Sequence, residues 1–187
     1  MQTLKVAVVT AASALALVAC GSSDSPTASA STSAPSSASS SSPDQASDDA
    51  AQASVPKQLK FTSTTTDGAS FKGASLAGKP TVVWFWAPWC HICKGEAPGV
   101  RAAAESSDVE FLGVAALDSA GPMRGFVEQY GLDFTNLADT EAAVWARFGV
   151  TSQPSYAFIT ADGDVEVVPG SLSASELKGK IAELEKS

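Results

Sequence analysis

Basic clusters are missing from this chain of 187 residues, whose 12 Lys and Arg face 20 Asp and Glu for a formal net charge of −8. Nucleic-acid partners are thereby excluded, because their affinity rests on neutralising phosphates with clustered basic side chains. Cysteine is scarce. The three present, at positions 20, 90 and 93, are too few for a multi-bridge scaffold and for a four-ligand zinc site. Histidine occurs once, as His91 between the last two cysteines. No aromatic residue precedes Phe61, and the apolar run at residues 6–19 is too short to cross a bilayer as a permanent helix. No metal ion and no organic cofactor is expected.

What is present begins with an export signal. A charged start with Lys5 and a short apolar core make residues 1–19 a signal peptide. Leu17, Val18, Ala19 and Cys20 resemble a bacterial lipobox, in which the Cys thiol is lipidated and the chain is cut just before it. The alternative is an ordinary signal peptide with a Cys near its cut. On the lipobox reading, residues 20–55 follow as a tether. Residues 21–55 hold 14 Ser and 8 Ala, too little apolar surface to repay the entropy of ordering, so this stretch is expected to be disordered. A flexible chain of that length holds a domain about 30–35 Å from its anchor.

Residues 56–187 carry every aromatic side chain and form one domain with its own core. Residues 59–62 and 69–72 alternate apolar and polar around Asp67 and Gly68, a pair of short edge strands. Residues 81–86 are apolar on both parities, as a central strand covered on both faces must be. A helix to about Ser106 follows Cys90, then a buried strand at 109–116, helices at 122–130 and 140–148, and a short strand at 134–137 between them. Residues 155–160 and 165–168 flank Asp162 and Gly163 as a hairpin, and Ser173 or Ser175 with Glu176 starts a last amphipathic helix. Strands alternating with helices in this order give an α/β three-layer sandwich.

Cys90 and Cys93 stand where a buried strand gives way to a helix. The helix N-terminus offers unpaired N–H groups and about half a positive charge, which stabilises a thiolate at Cys90. Cys93 lies one turn deeper, close enough to close a small disulfide ring. Cys90 should therefore attack and Cys93 resolve the mixed disulfide. A purely structural bridge over so short a loop would add little stability. Zinc would need further ligands, and haem attachment would need His where Lys94 stands.

From Val83 to Cys93 the chain resembles the strand–WCxxC–helix signature of the thioredoxin superfamily. Lys94, Gly95, Glu96, Ala97 and Pro98 extend the likeness to its exported TlpA, ResA and DsbE/CcmG-like branch, and Phe134 to Leu137 with Val144 to Phe148 resemble the actinobacterial DsbE-like members. The resemblance implies a thioredoxin fold, a three-layer α/β/α sandwich with an N-terminal hairpin and an inserted segment near residues 118–137. It implies a cis peptide at Gln153–Pro154, whose main chain would meet an extended substrate peptide. Glu96 would be a proton acceptor or tuning group for Cys93, or else a solvated helix carboxylate. Thioredoxins often bury an Asp six residues before the first Cys, where this chain has Trp84. Trp86 and Trp89 would wall the site or serve packing, with Trp89 the better candidate for substrate contact. Pro98 would kink the active-site helix.

These features point to an exported, membrane-tethered thiol:disulfide oxidoreductase that passes the Cys90–Cys93 disulfide to exported proteins, with His91 tuning Cys90. An unidentified membrane redox partner would regenerate it at the extracytoplasmic face of the cell membrane. A reductant for apocytochrome c or cell-surface disulfides shares the fold. A copper metallochaperone would need a distal His and wider Cys spacing, and a thiol peroxidase would need Pro and Thr or Ser where Val83 and Ala87 stand. If Cys20 carries the anchor, Cys20→Ser releases the protein from the membrane fraction with redox activity intact; retention of that variant on membranes rules the anchor out.

Overall fold

The computed structural model describes residues 55–187. The signal peptide, the lipidated Cys20 and the tether up to residue 54 lie outside the described residues. Val55, the last residue that composition assigns to the tether, is buried in the core.

Among the described residues, seven strands and four α-helices follow in chain order: β1 (Thr62–Thr64), β2 (Ser70–Lys72), β3 (Thr81–Trp86), α1 (His91–Glu105), β4 (Glu110–Ala115), α2 (Ala120–Tyr130), β5 (Thr135–Ala138), α3 (Ala143–Phe148), β6 (Ser155–Ile159), β7 (Val165–Pro169) and α4 (Ala174–Leu184). Five of the strands form one sheet in the order β5-β4-β3-β6-β7, parallel from β5 to β3 and antiparallel across β6 and β7. The central strand is β3, and all six of its residues are buried.

Side chains alternate across a strand, so β3 feeds two cores. Val82, Trp84 and Trp86 pack with residues of α1, α2 and α4 on one face. Val83 and Phe85 pack on the other with Leu59, Leu76 and the α3 residues Val144, Trp145 and Phe148. This is the expected three-layer thioredoxin fold, with one helical layer much thinner than the other.

The inserted segment supplies α2 and β5. Strand β5 joins the sheet as its edge, parallel to β4. Asn136 in β5 is buried, donating from Nδ2 to the Phe134 carbonyl at 2.8 Å and accepting Trp86 Nε1 at 3.3 Å. Gly113 on β4 makes room for it, since a Cβ there would stand 1.9 Å from Asn136 Oδ1.

Two elements differ from the sequence pattern. Leu59 to Phe61 is not strand: Lys57–Leu59 is a 3₁₀ turn that sinks Leu59 into the core, and the strand begins at Thr62. The β1–β2 hairpin is a separate small sheet, tied to β5 by the Thr65–Leu137 bridge and by Thr66 N–H donating to Asn136 O at 2.8 Å. The helix expected at 140–148 starts only at Ala143. The buried Asp139 carboxylate accepts the N–H groups of Ala143, Val144 and Trp145 at 2.9, 2.9 and 3.0 Å, so the residues between it and the helix form a turn in which Ala142 takes a left-handed φ of 52°. At α4 the cap is Ser173, in a reciprocal capping box with Glu176.

Because Asp139 satisfies three otherwise orphaned donors, Asp139→Ala should lower unfolding stability by about 2 kcal/mol in a urea titration. A loss below about 0.5 kcal/mol would mean that packing alone holds α3 in place.

Candidate active site

Strand register gathers the site at one end of the sheet. Trp86, the last residue of β3, pairs with Ala115 at the end of β4, and Phe85 pairs with Ser155 at the start of β6. The turn carrying Cys90, the loop carrying Leu117 and the Gln153–Pro154 peptide therefore leave the sheet side by side.

Cys90 is the N-cap of α1. Its Sγ accepts the Cys93 N–H at 3.1 Å, as a Ser or Asp oxygen does at other helix starts. Cys90 and Cys93 are joined as a disulfide with Cα atoms 5.3 Å apart. Cys90 retains 5% exposure and Cys93 none. A nucleophile from solvent thus meets Cys90 first. His91 opens the helix beside it and is exposed. The helix runs unbroken through Pro98, although proline removes the N–H that would reach the Lys94 carbonyl.

Around Cys90 the surface is apolar. Among the described residues the large exposed hydrophobic side chains are Trp89, Ile92 and Leu117. Trp89 Nε1 donates to the Leu117 carbonyl at 3.0 Å, tying the two loops together across the sheet end. Leu117 has a φ of 63°, a left-handed conformation that a bulky side chain rarely adopts. No pattern in the sequence marked Leu117, because a lone Leu after a strand has no periodicity. The Gln153–Pro154 peptide is cis, Pro154 is buried and Gln153 is partly exposed. Among the described residues the Gln153 main-chain N–H and carbonyl pair with no other main-chain group. Trp86 is fully buried, stacked on Phe126 at 4.3 Å between ring centroids, so its role is packing and it does not wall the site.

Glu96 is not a solvated carboxylate. It is partly buried, with Oε1 accepting the Leu172 N–H at 3.0 Å. Burial raises its pKa above the usual carboxylate value, opposed by the Leu172 N–H and by the Tyr156 hydroxyl and Trp84 indole that face it. The Tyr156 hydroxyl is pushed strongly upward by burial and by the nearby carboxylate, so it stays protonated. Tyr156 escaped the sequence pattern because an aromatic in a buried strand gives no sign of where its hydroxyl points.

Comparison with known proteins agrees with this fold. The sequence profile of the AhpC/TSA family matches residues 53–168. The chain belongs to that family. It is 46% identical over 132 residues to the soluble secreted antigen MPT53 of Mycobacterium tuberculosis, covering 68% of this chain and 76% of that one. The structure of M. tuberculosis DsbF, in mixed oxidised and reduced forms, is similar with a TM-score of 0.68 and 52% identity, over 70% of this chain and 98% of DsbF. A secreted M. tuberculosis disulfide oxidoreductase homologous to E. coli DsbE is similar with a TM-score of 0.65 and 44% identity, over 68% of this chain and 98% of that one. The chain is a thioredoxin-fold thiol:disulfide oxidoreductase of the DsbE and ResA type.

The unequal exposure of the two cysteines sets an order of reaction. Brief alkylation of the reduced protein near neutral pH should label Cys90 first, and Cys93→Ser should trap mixed disulfides through Cys90. Peptide mapping that finds Cys93 labelled first reverses the two roles.

Proposed function

We propose that the protein is a lipid-anchored oxidant of the extracytoplasmic space, passing its Cys90–Cys93 disulfide to exported polypeptides. The observation that carries this reading is Cys90 Sγ at the N-terminus of α1, accepting the Cys93 N–H with its own edge open to solvent. A substrate thiolate attacks Cys90 Sγ, forming a mixed disulfide and expelling Cys93 as a thiolate. Glu96 carries the proton that neutralises Cys93. A second substrate thiolate then attacks the substrate sulfur of the mixed disulfide, closing the substrate's bond and releasing Cys90 as a thiolate under the helix N-terminus. Two electrons have entered the protein, and a membrane redox partner must remove them.

The apolar surface of Trp89, Ile92 and Leu117 suits unfolded chains, which expose apolar side chains around their cysteines. The unpaired Gln153 main chain offers strand-like hydrogen bonds that tolerate many sequences. Anchoring through Cys20 would hold this site near the membrane on a tether that reaches neighbouring exported chains. Val83 and Ala87, where a thiol peroxidase would need Pro and a hydroxyl, are buried apolar side chains.

Whatever stabilises the Cys90 thiolate stabilises the reduced form and makes the disulfide a stronger oxidant, by about 30 mV per 1.4 kcal/mol. The helix terminus acts in that direction, and His91 can add a hydrogen bond or a positive charge. A buried apolar Trp84 in place of Asp removes a negative group that would oppose it. The reduction potential should therefore lie above thioredoxin's value of about −270 mV, and His91→Pro should shift it in the reducing direction. A potential at or below thioredoxin's, with the cysteines reduced in cells, makes the protein a reductant, as cytochrome c maturation requires.

A further inference from the structure

Among the described residues three buried polar atoms face one another beneath α1 without a hydrogen-bond partner: Glu96 Oε2, Tyr156 OH and Trp84 Nε1. Leaving such atoms unsatisfied costs stability, so a fold retains them only for a reason. Their convergence follows from register, since Trp84 on β3 pairs directly with Tyr156 on β6. Both side chains rise on the face covered by α1, where Glu96 lies one turn beyond Cys93. The other carboxylate oxygen is already anchored to the Leu172 main chain. Oε2 is the oxygen left to exchange a proton.

This corner is connected to solvent. Glu96 and Tyr156 line a cleft with Gly95, Gly99, Leu172 and Ser173, between the flank of α1 and the start of α4. Gly95 and Gly99 are exposed, and nothing lies within 4 Å of where their Cβ atoms would stand, so that flank of the helix is bare. Of the residues lining the cleft from α1, β6, α4 and the segment before it, Glu96 and Tyr156 alone titrate. The facing β3 residue, Trp84, does not titrate. No other charge in the cleft competes for the proton.

We infer that Tyr156 is a positioning residue for proton transfer at Cys93: its hydroxyl, which faces Glu96 without a partner in the oxidised protein, donates to Glu96 Oε2 when Cys93 gives up its proton, holding that oxygen as the acceptor while Oε1 stays on the main chain. The inference rests on the reading that Glu96 serves Cys93. During resolution of a mixed disulfide at Cys90, the Cys93 thiol proton passes to Glu96 Oε2, the Cys93 thiolate forms the bond to Cys90 Sγ, and the partner sulfur leaves as a thiolate. The oxidative direction runs the same steps backward, with Glu96 returning the proton to Cys93. In both directions Tyr156 keeps its own proton and only donates.

The sign of the effect follows. A donor to the carboxylate stabilises the charged form, so removing it raises the pH at which Glu96 can accept a proton. The test uses the reduced full chain carrying Cys20→Ser, which leaves one pair of thiols, mixed rapidly with the Ellman reagent across a pH series. The first release of thionitrobenzoate reports attack by Cys90, and the second reports attack by Cys93 on the mixed disulfide. Tyr156→Phe should move the midpoint of the second phase up by about one pH unit, slowing it about tenfold below the midpoint. The high-pH plateau and the first phase should be unchanged. In a Glu96→Gln background, Tyr156→Phe should have no further effect. An unmoved midpoint, or an equal slowing in the Glu96→Gln background, overturns the role of Tyr156. So does a lowered melting temperature with both phases slowed together, which would make the residue a packing element. A second phase that Glu96→Gln leaves unchanged refutes instead the reading of Glu96 on which the inference stands.

Discussion

Cys90 Sγ occupies the position of a capping oxygen at the start of α1, and the remaining structure serves that placement. A helix N-terminus carries about half a positive charge and donors with no partner inside the helix. A thiolate there is stabilised by the backbone itself. For the helix to begin at the end of a central strand, that strand must be buried on both faces, as β3 is. The cap and the double-sided burial of β3 are therefore two aspects of one constraint.

Around this helix the usual distribution of polarity is reversed. Trp89, Ile92 and Leu117 are apolar and lie outside; the polar atoms of Glu96, Trp84 and Tyr156 lie inside. Each half of that reversal costs stability, and each answers to one half of the chemistry. On the proposed mechanism the outer apolar surface would receive a chain that has not folded, and the inner polar group would manage the proton of Cys93, which is fully buried. Burial raises the Glu96 pKa above the usual carboxylate value, opposed by the Leu172 N–H and by the Tyr156 hydroxyl and Trp84 indole that face it.

The segment between β4 and α3 shows how an inserted stretch becomes part of the core. Strand β5 completes the sheet edge, and Asn136 joins it to Trp86 through a side-chain hydrogen bond that requires glycine at position 113. Trp86 in turn stacks on Phe126 of α2. Trp86, four residues before Cys90, is thus held from the insertion by Asn136 and Phe126.

Local signals were enough to read much of this molecule in one dimension. The apolar run at 81–86, the hairpin around Asp162 and Gly163, the capped helix at Ser173 and the closely spaced Cys90 and Cys93 all depend on neighbours within one turn or one strand, and each is where the pattern put it. The family likeness added the cis peptide at Gln153 and the insertion. Other features arise from contacts between residues far apart in the chain. Leu59 turns inward because it meets a core built from β3 and α3, and α3 starts late because Asp139 caps it through a folded turn. Trp86 packs inside while Trp89 faces out, though the two are three residues apart. Tyr156 reaches Glu96 across 60 positions of sequence through a strand register that no local rule encodes. Periodicity and capping are short-range properties of the chain, whereas the company a buried polar atom keeps is decided by how the strands pair.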